Sequence, residues 1–186
     1  MVNRRTVRTK EACRKRMVSD EPEKEKRIQE MKTILILVGK TADKHFQAGI
    51  SDYAERISHY MPFEIVTIPE LRNTKNLSEE QQKTAEGELI MRQIQTSDTV
   101  VLLDEHGKEM TSVQYARWLQ QRSMNSRRLV FVIGGPYGFS PAVYSRADEK
   151  ISLSLMTFSH QMVRLIFTEQ LYRACTIIKG EPYHHE

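Results

Sequence analysis

The chain has 186 residues, enough for one domain with a buried core, and its 28 Lys and Arg against 24 Asp and Glu give a formal charge of +4. Ten of the basic and six of the acidic residues fall in the first thirty positions, so residues 31–186 balance at eighteen of each, and charge alone gives no argument for a polyanionic partner. No apolar run approaches the roughly eighteen residues of a membrane span, the amino terminus lacks the apolar segment of a secretory signal, and the widely separated Cys13 and Cys175 suggest neither a disulfide framework nor a metal site, which fits a reducing cytoplasm.

Residues 1–30 carry almost no apolar periodicity and read as a disordered or frayed extension, consistent with a start assigned too far upstream; a nucleic-acid-attracting arm is the other reading. A single domain is expected over 31–186. The unbroken apolar run 33–38 predicts a strand buried on both faces, as in a parallel sheet. Phe46, Ile50, Tyr53, Ala54 and Ile57 predict a helix over 42–60, and 63–68 a second strand, completing a βαβ unit. The polar stretch 71–80 predicts a surface loop, or a mobile cover over a substrate. Ser78 and Gln81 form a capping box for a helix over about 79–95.

A third strand is expected at 99–103, ending in the acidic, glycine-containing loop Asp104-Glu105-His106-Gly107-Lys108. Thr111 or Ser112 caps a further helix, and 129–133 forms strand four. The loop Gly134-Gly135-Pro136-Tyr137-Gly138 follows, where glycines suit positive φ or close backbone approach. Ser140-Pro141 opens a short helix reaching about Ala147. Strand five is expected at 151–155, and the last helix over about 159–178, stopping at Gly180. Five strands alternating with helices predict an αβα layer around a mostly parallel sheet. If their strands are neighbours, the loops 103–108, 134–139 and 153–158 converge on one carboxyl edge, where ligands of open α/β sheets bind.

Several chemistries are weak on these residues. Gly134-Gly135-x-x-Gly138 is not a phosphate-loop spacing, and no Lys-Ser or Lys-Thr pair follows it. Asp104 after a strand could hold a ribose, but without the glycine fingerprint of a dinucleotide fold. Ser159 and His160 are adjacent, so they point apart on a helix, and no nucleophile elbow accompanies them. His160, His184 and His185 lack companions at metal-ligand spacing. Arg164 and Arg173 stand nine residues apart, about 2.5 turns, and so face opposite sides of one helix. The apolar character of that helix is explained equally by packing across the sheet or by a dimer face.

Taken together, Leu103 to Lys108, Phe131 to Gly138, Leu153 to Arg164, Glu169 to Ala174 and Pro182-Tyr183-His184 resemble the ribosomal RNA large-subunit pseudouridine N3-methyltransferases, of the SPOUT class of trefoil-knotted methyltransferases. The resemblance extends from Met31 to the end, and the first thirty residues depart from it. It implies a five- or six-stranded sheet with a carboxyl-terminal trefoil knot, which periodicity does not reveal, and a cytoplasmic homodimer without membrane or metal. It implies S-adenosylmethionine held by Leu103, Gly134, Leu153, Ser154, Leu155, Met156, Thr157 and Phe158. The implied substrate is a pseudouridine of large-subunit rRNA in the assembled 70S ribosome. His184 is expected to accept or orient the N3 proton, with Tyr183 as its hydrogen-bond partner. Arg164 and Arg173 are expected at phosphate or carbonyl groups, and Arg122, Arg127 and Arg128 are candidates for RNA contact. A related knotted tRNA methyltransferase, or an RNA-binding or ribosome-associated factor without turnover, are the alternatives.

Overall fold

The computed structural model describes residues 26–71 and 74–184; the expectations for residues 1–25, for Asn73 in the polar loop and for His185 lie outside the described residues. A helical turn over 26–30 leads into the first strand, and its Ile28 is buried beside Met31.

Five strands form one sheet: β1 (Lys32–Val38), β2 (Phe63–Ile68), β3 (Thr99–Glu109), β4 (Arg128–Ile133) and β5 (Glu149–Ser152). All pair in parallel, in the order β2-β1-β4-β3-β5. β1 and β4 hold the centre, and the reason is legible in their composition: both are apolar almost throughout, as strands covered on two faces must be. Alternate residues feed two cores. Leu35, Leu37, Val101, Leu129, Phe131 and Ile133 face one side, while Ile34, Ile36, Val38, Val100, Leu102, Val130 and Val132 face the other.

Helices α1 (Lys44–Ser58), α3 (Ser112–Asn125) and α5 (Met162–Lys179) cover the first side, and α2 (Glu79–Met91) and α4 (Pro141–Arg146) the second. The starts are fixed by side-chain caps: Asp43 for α1, Ser78 with Gln81 for α2, Thr111 with Gln114 for α3, and Ser140 before Pro141 for α4. The last helix crosses the sheet centre, with Phe167 4.8 Å from Phe131 between ring centroids and Leu171, Ala174 and Cys175 buried beside it. Each large side chain buried this way contributes about 1.5–3 kcal/mol. That exceeds what a surface pair such as Arg173–Glu169 adds, about 0–1 kcal/mol. The apolar character of α5 is therefore accounted for by sheet packing on its inner face.

Two strands differ from the sequence expectation. β5 occupies 149–152 rather than 151–155, because Ser152 Oγ donates to the Ser154 carbonyl and the Met156 amide donates to Ser154 Oγ, folding the chain out of the ladder. β3 continues to Glu109 instead of ending at Leu103. Leu103 and Lys108 both register with Ile151, so residues 104–107 swing out and return to the same strand. The return brings two backbones together at Gly107, where a Cβ would stand 2.5 Å from the Ile151 carbonyl carbon and 2.7 Å from the Ser152 nitrogen. Only a residue without a side chain fits. Gly107→Ala is expected to destabilise the fold by about 2 kcal/mol or more, since neither backbone can yield. Urea unfolding measures this, and a midpoint equal to the parent's would show that the crossing is not tight.

Candidate functional site

The three strand ends meet as the alternation predicts. A cavity of about 700 Å³ opens at the carboxyl edge of β3, β4 and β5, bounded by Leu103 and Asp104, by Ile133 to Phe139, and by Ile151 to Ser154. Met156 to His160 and Val163 close another wall. The size suits a nucleoside-bearing ligand, and the mixture of aliphatic walls with strand-end backbone suits one with a flat apolar part and a polar part. Of the eight expected cofactor residues, seven line this space. Leu155 does not; its side chain is 90% exposed, and Met156 beside it is 72% exposed.

The glycine loop is built as a tight turn. Gly138 has a φ of +80°, a region that side chains disfavour, and its amide donates to the Gly135 carbonyl at 3.1 Å. Phe139 then enters the second core, 5.7 Å from the Tyr144 ring, which anchors the loop to α4.

Asp104 is the best-defined polar group in the cavity. Its carboxylate is nearly buried and accepts from the Tyr144 hydroxyl at 2.5 Å and from the His106 amide at 2.8 Å. Burial by itself raises a carboxyl pKa. Here the two hydrogen bonds, with Lys150 and His106 nearby, outweigh it and hold Asp104 below the ordinary value, hence ionised. Tyr144 is pushed up to about 12 by burial and by the same carboxylate. Lys150 Nζ lies 5.6 Å from the Tyr144 ring centroid, outside the cavity wall.

The arginines stand elsewhere. Arg164 is 1% exposed and donates to the carbonyls of Val38 (2.6 Å) and Gly39 (3.0 Å) and to Thr41 Oγ1 (3.0 Å). Its burial lowers its pKa, against the opposing charge of Glu70. Two and a half turns away, Arg173 pairs with Glu169 and stacks 4.8 Å from the Tyr183 ring. The Tyr183 hydroxyl donates to Glu169 at 3.1 Å, its ring packs on Tyr172, and neither Tyr183 nor His184 lines the cavity. The two arginines thus face opposite sides of α5, as their spacing requires. Arg128 pairs with Asp98 and Arg122 with Glu149, at 2.7 and 2.6 Å. Arg127 and Arg128 sit where β4 begins, at the sheet edge away from the cavity.

Sequence reasoning missed three participants. Tyr144 lies in a short helix whose pattern gives it no role, yet its hydroxyl donates to Asp104. Gln161 falls inside the helix expected from 159, yet α5 starts only at Met162 and the Gln161 side-chain oxygen accepts from the Ala42 and Asp43 amides, tying the cavity wall to the start of α1. Glu86 sat among polar helix residues, yet it is buried behind Gly135. Only long-range contact buries or pairs these groups, so no local signal announced them. Among the described residues no cluster of His, Cys, Asp or Glu could hold a metal, and no helix is long and apolar enough to cross a membrane.

Tyr144→Phe is expected to raise the Asp104 pKa toward the ordinary carboxylate range. Because the parent value is depressed, the stability Asp104 contributes is present above the ordinary carboxyl pKa and lost as pH falls through the folded value. The variant should therefore lose less stability on acidification, with carboxyl-carbon NMR following Asp104 directly. An unmoved Asp104 titration would show that the tyrosine does not set its charge.

Comparison with known sequences agrees with this geometry. Residues 31–184 match the family described as "Predicted SPOUT methyltransferase". The chain is 61% identical over 157 residues to the ribosomal RNA large subunit methyltransferase H of Bacteroides fragilis strain ATCC 25285, covering 84% of this chain and all of that protein. Proteins of the same name from Phocaeicola vulgatus (59% over 157 residues, 84% of this chain, all of the relative) and Flavobacterium johnsoniae (56% over 154 residues, 82% of this chain, 98% of the relative) are similar along nearly their whole length. With a methyl-donor-sized cavity at the edge of an all-parallel sheet and a match that spans the folded chain, this protein belongs to the SPOUT methyltransferase family and is a methyltransferase.

Proposed function

We propose that the chain uses S-adenosylmethionine to methylate N3 of a pseudouridine in large-subunit ribosomal RNA within the assembled ribosome, in the cytoplasm. The observation that carries this reading is the convergence of Leu103, Gly134 and 153–158 on one cavity, in a chain 61% identical to a ribosomal RNA large subunit methyltransferase. The residues present fit the donor: aliphatic Leu103, Ile133 and Leu153 suit an adenine face, and strand-end amides and carbonyls suit its edge.

When bound, the donor supplies an electrophilic methyl carbon. The protein's contribution is to position it, exclude water and manage one proton. Pseudouridine N3–H lies between two carbonyls and must be deprotonated as it attacks, so a base or a charge-stabilising donor is needed. His184 serves there, oriented through Tyr183. Tyr183 is held by Glu169, Arg173 and Tyr172, and neither it nor His184 lines its own chain's cavity. A homodimer in which each tail serves the other copy resolves this, and the exposed Leu155 and Met156 beside the cavity supply apolar surface for such a contact. Arg164 supports the site by fixing the end of β1, and Arg173 by holding the tail.

The decisive experiment treats ribosomes and free tRNA from a methylation-deficient strain with protein and donor, followed by nucleoside mass spectrometry. N3-methylpseudouridine from ribosomes alone is expected. Modification of tRNA instead would select a tRNA enzyme, and donor binding without transfer a non-catalytic factor. His184→Ala is expected to slow transfer at least about tenfold with donor affinity nearly unchanged; equal rates would remove its role. Gly134→Val is expected to weaken donor binding through the loop itself, because a Cβ there meets the Phe139 ring at 3.0 Å. Unchanged calorimetric affinity would separate this loop from the donor site.

A further inference from the structure

Glu86 is a buried acid without an evident task. It lies on α2, 8% exposed, and among the described residues no hydrogen bond or ion pair reaches its carboxylate, whose oxygens keep only a sliver of solvent contact. Native proteins seldom leave a buried carboxylate unpartnered, because desolvation penalises the charge. The group is pressed against the cavity's glycine loop: a Cβ on Gly135 would stand 2.6 Å from Glu86 Oε2. The other side chain acting on it is Glu70 at the end of β2, also an acid, which along with burial raises its pKa. Lys83 on the same helix is paired with Glu80, and Arg164 is committed to the end of β1.

The cavity has the same sign of charge. Among the described residues its lining includes Glu79, Asp104 and Glu105, with His106 and His160, and no Lys or Arg. Asp104 is ionised, as argued above. A wall of this kind is poor for phosphate and suited to a cation. Charges set in a low-dielectric wall act more strongly than the same charges in water.

Methyl transfer removes a cation from this space. The C–S bond breaks as the C–N bond forms, both electrons of the C–S bond stay on sulfur, and the N3 proton passes to the base. The sulfonium thereby becomes a neutral thioether. We propose that Glu86, with Asp104 at the end of the neighbouring strand, is a specificity-determining residue that makes the cavity favour the sulfonium donor over its thioether product. It acts through the thin Gly134-Gly135 backbone, which a side chain at position 135 would push away from the carboxylate. The inference rests on the reading that this cavity holds S-adenosylmethionine.

Calorimetry on the full chain with S-adenosylmethionine, S-adenosylhomocysteine and sinefungin, which carries an amine in place of the sulfonium, tests it. Glu86→Gln keeps the shape and removes the charge. The ratio of donor to thioether affinity is expected to fall about fivefold or more in this variant, with thioether affinity changed less than about twofold and sinefungin following the donor. Asp104→Asn is expected to move the ratio in the same direction, which keeps the idea testable should Glu86→Gln fail to fold. An unchanged ratio, or equal loss of both ligands, would overturn the proposal and leave Glu86 a loop-shaping residue. If the parent protein binds none of the three ligands, the donor reading of the cavity itself fails, and the proposal with it.

Discussion

The structure depends on how β1 is terminated. The carbonyls of Val38, its last residue, and of Gly39 just beyond are both taken by the guanidinium of Arg164. A buried cation without a carboxylate partner is costly unless its donors are used. Here two backbone carbonyls and a threonine hydroxyl take the two terminal nitrogens, Nε alone having no partner among the described residues, so the first turn of α5 is locked to the sheet centre. Gln161, one turn earlier, grips the amides that open α1. The segment before these anchors, residues 153–160, is a cavity wall with little regular structure of its own. Its geometry is borrowed from the two ends that hold it: β5 on one side and the Arg164–Gln161 clamp on the other.

The cavity then follows from parallel topology. Three neighbouring strands that run the same way must end at the same edge, and each end presents backbone groups with no strand beyond them. The chain adds an ionised carboxylate held by a tyrosine, the acids Glu79 and Glu105, a glycine turn, and aliphatic side chains. Such a site is suited to holding a small reactive ligand rather than to activating a nucleophile by itself. This agrees with a reaction in which positioning supplies most of the acceleration and the proton-handling group arrives from elsewhere.

Much of this was legible from residue order. The unbroken apolar runs 33–38 and 129–133 located the central strands because those strands are buried on both faces, and burial is what apolar runs record. Ser78, Thr111 and Ser140 were legible as caps because their partners lie within one turn. What escaped was non-local. The apolar letters of 153–155 suggested a strand, but a serine hydroxyl turn takes them out of the ladder, and Leu155 ends in solvent. Glu86 belongs to a helix whose pattern marks it as solvated, and only the approach of the 134–138 loop buries it. Arg164 and Arg173 could be assigned to opposite faces from their spacing, whereas the carbonyls that Arg164 serves lie more than a hundred residues away.

The double pairing of Ile151 has a consequence for how the molecule is made. β3 is the edge of the sheet until β5 arrives, and Val101, Leu102 and Leu103 are an apolar strand with one flank of amides and carbonyls open. Its partner, residues 149–151, is encoded 48 residues downstream, so during synthesis that flank stands bare while the intervening chain emerges. The 104–107 excursion, folding back toward the same strand, keeps the bare stretch short and offers the incoming segment a single place to lodge. A feature that is a backbone crossing in the finished enzyme is, in the nascent chain, a guard against pairing with a stranger.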